Sequence, residues 1–348
     1  MRTTTHQLAP RILITRLSAI GDCLQTMPLV CALRDRIPQA HIAWAVEKAA
    51  APLVAACTAV DETIVVGKRL HRTPAILWQT ARMLRAKRFD LTIDPQSLMK
   101  SAALARISGA PRRIGFARPQ GREIAPLLNN ERVACRERHM VDRNLELLRP
   151  LGIEKPAVQF GLNIPAAANE FADRLLIDQP QLRGGFVAIN PGAGWDSKRW
   201  PLERYAEVAR HLSKQGMRTL VVWGGGRECV WAEQIVAASR GAAMLAPATT
   251  LLELAAVLRH ARLFVGSDTG PLHLAAAVGT PCVAMFGPSP ADACGPYGTN
   301  HLTLQAALDT SRRRRRPGAD SWAMREIVPA AVFDACDRQL AKQRESAA

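Results

Sequence analysis

Short apolar runs alternate with longer stretches of helical periodicity along most of the chain. Arg11 to Thr15 (RILIT) has the length and aliphatic content of a buried strand. A polar loop through Gly21 follows, and apolar positions from Asp22 to Ile37 then recur at helical spacing until Pro38 stops them. His41 to Val46, Thr63 to Val66 and Leu91 to Asp94 read as further strands. Pro74 to Lys87 and Lys100 to Ile107 read as the helices beside them. Strands alternating with helices at this spacing predict a parallel sheet covered on both faces.

From about Gly152 to Leu182 the pattern breaks into prolines and an alanine run, so the domain boundary is placed there. A second series follows: strand Phe186 to Asn190, helix Pro201 to Gln215, strand Arg218 to Trp223, and a Gly224-Gly225-Gly226 turn into a helix from Arg227. Thr250 to His260 predicts a helix, Ala261 to Val265 a strand, Leu272 to Val278 a small-residue helix, and Pro281 to Phe286 another strand. The expectation is an α/β protein of two doubly wound Rossmann-like domains, residues 1–165 and 166–327, facing across a cleft. Residues 328–348 are expected to form an amphipathic helix that packs back on the first domain.

Ligands of open α/β sheets sit beyond the carboxyl ends of the strands, which makes a filter for chemistry. It selects Arg16, Ser18 and Asp22; Asp94, Gln96 and Lys100; Asn190 to Lys198; Glu228; and Ser267 to His273. The last of these, Ser267-Asp268-Thr269-Gly270-Pro271-Leu272-His273, is the densest. Pro271 suits the first helical position, and the backbone N–H groups from Thr269 onward open a helix N-terminus of the kind that binds phosphate.

Lys and Arg outnumber Asp and Glu by 46 to 30, a formal net charge of +16, which calls for an anionic partner. Aromatics are only 5%, a poor supply for a base-stacking nucleic-acid surface, so a small acidic ligand or an anionic lipid surface fits better. The eight cysteines form no C-x-x-C pair and read as reduced packing residues. No apolar run approaches the roughly 20 residues of a membrane span, and the first apolar segment does not resemble a secretory signal. These features predict a cytoplasmic protein that touches a membrane from inside.

Several side chains carry two readings. Asp22 after Gly21 is either a helix cap or a general base able to take a proton from a hydroxyl. Lys198, in the long loop Asn190 to Pro201, either neutralises a diphosphate leaving group or decorates a solvated loop. Glu228 either accepts from ribose hydroxyls or supplies N-terminal charge to a helix. His273 is either a core histidine or a phosphate contact. Arg112 and Arg113 are expected to flank the mouth of the first domain. Arg312 to Arg316 reads as a solvated run, or as a contact for lipid phosphates. No D-x-D sequence suggests a metal bridging carboxylates and diphosphate, and neither half carries the dinucleotide glycine fingerprint of a dehydrogenase.

Taken in order, several segments resemble glycosyltransferase family 9, the ADP-heptose:lipopolysaccharide heptosyltransferases. They are Ser18 to Asp22, Asp94 to Ala102, Arg113 to Phe116, His139 to Asn144, Asn190 to Ala193, Lys198 to Pro201 and Ser267 to Ala276. The resemblance implies a GT-B architecture, with an acceptor-binding first domain and an ADP-sugar-binding second domain. It also implies an inverting, metal-independent transfer with no cofactor. Asp22 would be the catalytic base. Ala193, Gly194, Lys198, Glu228, Asp268, Thr269, Gly270 and His273 would bind the ADP-heptose donor. Arg16, Ser18, Gln96, Lys100, Arg112 and Arg113 would meet a Kdo-lipid A type acceptor at an anionic inner leaflet. The first-heptose (type I) subgroup is the nearest resemblance, although Ala193 and Gly194 also match the type II form. A non-catalytic binder of anionic lipid and a nucleotide-sugar epimerase are the competing readings.

Overall fold

The computed structural model describes residues 9–67, 74–308, 316 and 318–347. It divides into two compact units, residues 1–163 and 164–348, each built on its own sheet.

In the first unit β1 (Arg11–Thr15), β2 (His41–Glu47), β3 (Glu62–Val66), β4 (Leu91–Asp94), β5 (Arg112–Phe116) and β6 (Glu131–Val133) form one sheet. Its order is β3-β2-β1-β4-β5-β6, and every pairing is parallel. Between the strands run α1 (Ile20–Leu24), α2 (Met27–Arg36), α3 (Ala51–Ala55), α4 (Pro74–Ala86), α5 (Met99–Ile107) and α6 (Ala125–Leu128), followed by α7 (Met140–Glu146). Alternate residues of neighbouring strands, Leu13, Ala43, Ala45, Ile64 and Val66, pack on Leu84 of α4 and Leu104 of α5. That is the two-residue period of a pleated strand meeting the apolar stripe of a helix.

The single helix expected over 22–37 is two helices that break at Gln25-Thr26. Pro28 lacks an N–H and suits only the first turn of a new helix, which fixes the break. Buried Asn144 of α7 pins it, donating to Gln25 O at 3.0 Å and Thr26 Oγ1 at 3.3 Å. Asp22 is therefore at the third position of a one-turn helix rather than at its cap.

The second unit repeats the plan with α8 (Ala166–Asp178), β7 (Phe186–Asn190), α9 (Leu202–Ser213), β8 (Arg218–Val221), α10 (Gly226–Ala238), β9 (Ala243–Leu245) and α11 (Leu251–His260). It continues through β10 (Ala261–Ser267), α12 (Gly270–Ala277), β11 (Cys282–Phe286), α13 (Ala291–Cys294), β12 (His301–Gln305), α14 (Trp322–Arg325) and α15 (Pro329–Ala347). The strand order β12-β11-β10-β7-β8-β9 is the same doubly wound topology, again all parallel. Val187, Ile189, Leu263, Val265, Val283 and Met285 alternate along three strands to face Tyr205, Val208 and Leu212 of α9.

The last helix, expected to pack back on the first domain, lies in the core of the second unit. α15 packs within the second unit, on α9 and beside β10 to β12. Val332, Ala335, Cys336 and Leu340 form its stripe in that core. His211 of α9 clips it from outside, with Nε2 2.9 Å from Asp337 Oδ1 and its ring stacked at 4.4 Å on Phe333. Within the run Arg312 to Arg316, residues 312–315 lie outside the described residues.

Candidate active site

At the carboxyl edge of the first sheet, Arg16 leaves β1 buried and turns its guanidinium two ways. Nη1 donates to Pro95 O at 2.8 Å and Nη2 meets Asp22 Oδ2 at 3.0 Å. The same Asp22 oxygen accepts from the Ala19 N–H at 3.1 Å. Both contacts fall on Oδ2, and among the described residues no side-chain or backbone donor is seen on Oδ1. Asp22 does contribute to its helix start, but from inside the first turn. Its side chain stays 37% exposed although Arg16 beside it is 6% exposed.

Lys100, in the first turn of α5, reaches the same loop after β1. Its Nζ donates to Ser18 Oγ at 3.1 Å and to Glu47 Oε1 at 3.0 Å. Gln96 Oε1 accepts from Leu17 N at 2.8 Å, so it holds the β1 loop. Two hydrogen-bonded groups thus share the loop after β1, Arg16 with Asp22 and Lys100 with Ser18 and Glu47, with Gln96 holding the loop between them, and Glu47 is a member that the sequence did not single out. The strand was expected to end at Val46. It runs one residue further, and the carboxyl-edge filter would then have selected Glu47.

Asp94 supports the constellation from below. It is fully buried at the end of β4, accepting from Ser97 N at 2.8 Å and from Asn129 Nδ2 at 3.0 Å. Burial pushes its carboxyl up to about 6, with the bonds from Asn129, Ser101 and Ser97 opposing that rise.

Arg112 and Arg113 do not join. They begin β5 and so stand at the amino edge of the sheet, opposite the mouth they were expected to flank. Residues 109–111 close α5 at that end and feed the strand from below. Arg112 is held bidentate by Glu131 at 2.7 and 2.9 Å, and Arg113 donates to Leu128 O and Ala110 O.

In the second unit Asp268 is the hub. Leaving β10, its Oδ2 meets Lys198 Nζ at 2.5 Å and accepts from Ser289 Oγ at 2.7 Å, while Oδ1 lies 3.3 Å from His273 Nε2. Burial alone would raise its pKa. The bond to His273 and the Lys198 charge outweigh that and hold the carboxyl well below the ordinary range. Lys198 also sits 4.5 Å from the centre of the Trp195 ring, a cation–π contact that fixes the ammonium. Thr269 caps α12 through Leu272 N at 3.4 Å, and Gly270 begins the helix with Pro271 second, one place later than expected. Asp268 thereby fastens a lysine and a histidine beside a helix N-terminus, where positive charge and N–H donors converge.

Ser289 was not anticipated. It follows β11 at its carboxyl edge, where the same filter could have found it.

The Lys198 loop is anchored behind the site. Trp200 is buried, donates from Nε1 to Ile327 O at 2.9 Å, and meets Tyr205 edge-on at 4.9 Å. Glu228, near the start of α10, accepts from Gly224 N at 2.8 Å. Burial pushes its carboxyl up, and the bonds from Gly224 and Asn190 offset only part of that rise. A Cβ on Gly192 would stand 2.4 Å from Glu228 Oε1, so the 190–194 loop approaches this carboxylate closely because it lacks a side chain there. Ala193 and exposed Gly194 continue the same loop. Beside them Arg199 and Arg227 lie 4.7 and 4.8 Å from the Trp231 ring centre, and Arg227 also pairs with Asp196 at 2.9 Å.

The profile of glycosyltransferase family 9 (heptosyltransferase) matches residues 77–319. Lipopolysaccharide heptosyltransferase 1 of Escherichia coli K12 is 30% identical over 309 residues, covering 85% of this chain and 93% of the relative. Lipopolysaccharide heptosyltransferase 2 of the same strain is 26% identical over 368 residues, covering 96% and 99%. Among solved structures, E. coli heptosyltransferase WaaC with ADP-2-deoxy-2-fluoro heptose superposes with a TM-score of 0.74 at 28% identity, covering 94% of this chain and 99% of that one.

Proposed function

Because this chain belongs to glycosyltransferase family 9, we propose that it moves a heptose from ADP-heptose to the Kdo of a lipid A-linked acceptor, with inversion and without a metal. In this reading the first unit takes the acceptor and the second the donor, at the cytoplasmic face of an anionic membrane. Asp22 Oδ1 accepts the proton of the acceptor hydroxyl as its oxygen attacks the anomeric carbon. The bond from that carbon to the diphosphate oxygen breaks, and ADP leaves with the electron pair. Lys198, His273 and the N-terminus of α12 answer the charge that grows on the leaving diphosphate, the task a metal performs elsewhere. Glu228 takes the ribose of the adenosine. Arg16 and Lys100 meet the acidic acceptor.

The observation that carries the reading is the one-sided hold on Asp22, which fixes a partly exposed carboxylate against the buried Arg16 guanidinium yet leaves an oxygen for a proton. Supplying ADP-heptose and Kdo-lipid A should release ADP. Asp22→Asn should lower turnover by about 100-fold or more while ADP still binds, the range expected for loss of a general base. Near wild-type turnover in that variant would remove Asp22 from the chemistry.

The Pro191-Gly192-Ala193 form favours a second reading, transfer to an acceptor that already carries one heptose. Offering both acceptors in competition separates the two.

A further inference from the structure

Exposed apolar side chains in the first unit gather where three neighbouring helices begin. Ile76, Leu77 and Trp78 stand near the start of α4, Met99 opens α5, and Ile124 and Leu127 flank the start of α6. Trp78 is 63% exposed and Leu127 78%. α5 packs against both α4 and α6, so these starts are adjacent. Each helix follows a parallel strand and returns along the sheet, which puts its first turn at the carboxyl edge. That is the edge bearing Asp22, Gln96 and Lys100. Scattered exposed leucines are ordinary, but a contiguous apolar rim beside a binding edge is not.

The charge around the rim is predominantly positive. None of α4, α5 and α6 contains an Asp or Glu. Arg82 lies 5.7 Å from the Trp78 ring centre, and Arg118 and Arg122 are exposed in the loop before α6. The nearby Glu123 is occupied, its Oε2 accepting from Met99 N at 2.7 Å. The asymmetry extends to the unit. Residues 1–163 hold 25 Lys and Arg against 13 Asp and Glu, a net +12, while residues 164–348 hold 21 against 17, a net +4.

We propose that this rim is a membrane-docking surface: Trp78, Leu127 and their neighbours enter the headgroup region of an anionic bilayer while the surrounding arginines engage lipid phosphates. A tryptophan beside arginines on an apolar helix start suits a membrane interface, wet at one end and apolar at the other. A second copy of the chain is the poorer occupant, since it would set two basic rims against each other. The docking gives the acceptor edge a reason to lie against lipid and so deepens the lipid-linked acceptor reading. It is measured without donor or acceptor, so either can fail alone.

Flotation with vesicles of phosphatidylethanolamine and phosphatidylglycerol, against vesicles of phosphatidylcholine alone, tests it. The protein should partition onto the anionic vesicles at low salt, and W78S/L127S should lose about tenfold in partitioning. Both side chains are exposed, so the stabilisation of the variant by ADP in a thermal shift should match wild type. Brominated lipids should quench part of the wild-type tryptophan emission, and Trp78→Phe should abolish that part, a readout that survives even if the double variant folds poorly. Equal partitioning of variant and wild type, equal binding to neutral vesicles, or quenching unchanged in Trp78→Phe would each overturn the assignment. So would a dimer that dissociates in W78S/L127S, since the rim would then be a contact between copies.

Discussion

Asp94 and Asp268 are buried carboxylates driven in opposite directions, and their neighbours decide which way. Asp268 has a lysine and a histidine in contact, while Asp94 has neutral donors and only the more distant charge of Arg16. A carboxyl raised from 3.8 to about 6 binds more protons folded than unfolded between those values. Its contribution is therefore fully present at low pH and is lost as pH rises through about 6, by at most about 3 kcal/mol at 1.36 kcal/mol per pKa unit. Asp94→Asn should remove that dependence. Its Oδ1 can still accept from Ser97 N, and once the Asn129 amide turns over its Nδ2 can donate to Asn129 Oδ1, a buried atom without a partner among the described residues. Thermal unfolding from pH 4.5 to 7.5 should give a flatter curve for the variant and a higher Tm at pH 7.5. A slope equal to wild type would show that Asp94 does not titrate there. The sequence made Asp22, Lys198 and Asp268 visible because each follows a strand. It could not reveal Ser289 and Glu47 as their neighbours' partners, because those contacts span 21 residues in one case and 53 in the other.

At the scale of elements, strand-to-helix turns of one sheet converge, and the second unit uses that convergence at Gly192 and Glu228. The first lies after β7 and the second near the start of α10, yet the glycine backbone fits against the carboxylate. Gly192→Ala should push Glu228 aside and break its bond to Gly224 N, with little effect on folding because a side-chain terminus can yield. ADP affinity should fall by about tenfold, as in Glu228→Ala, and the double variant should fall no further, the signature of two changes acting on one contact. Calorimetric titration with ADP checks this, and additive losses would separate the two residues. Most interior strands were legible because each is an apolar run between turn signals; β5 was not, since two arginines and a glycine leave it only Ile114 and Phe116. β6, β9 and the outer strand β12 were not, being short or at sheet edges with polar residues among them. The reading of one helix over 22–37 shows the complementary failure. Pro28 was present in the pattern, but periodicity on either side concealed the break that Asn144 pins from over 100 residues away.

For the whole molecule, the uneven charge sets how substrates should respond to salt. A net +12 on the first unit, the proposed acceptor side, acts over distance and through exposed arginines. The proposed donor contacts are Lys198, His273 and backbone N–H groups, with Lys198 and Asp268 only 13% and 11% exposed. Raising ionic strength from about 0.1 M to 1 M shortens the screening length from roughly 10 Å to 3 Å, which suppresses the first kind of interaction far more than the second. With a vesicle-borne acceptor, KM for the acceptor should therefore climb about tenfold over that range, while KM for ADP-heptose moves less than about twofold. A short-chain, detergent-free acceptor should give an intermediate response, since it keeps the contacts to Arg16 and Lys100 but loses the lipid surface. If donor and acceptor constants rise together, the positive charge is felt by ADP as strongly as by lipid. The division of electrostatic labour between the two units would then be wrong, even with Asp22 and Asp268 correctly assigned.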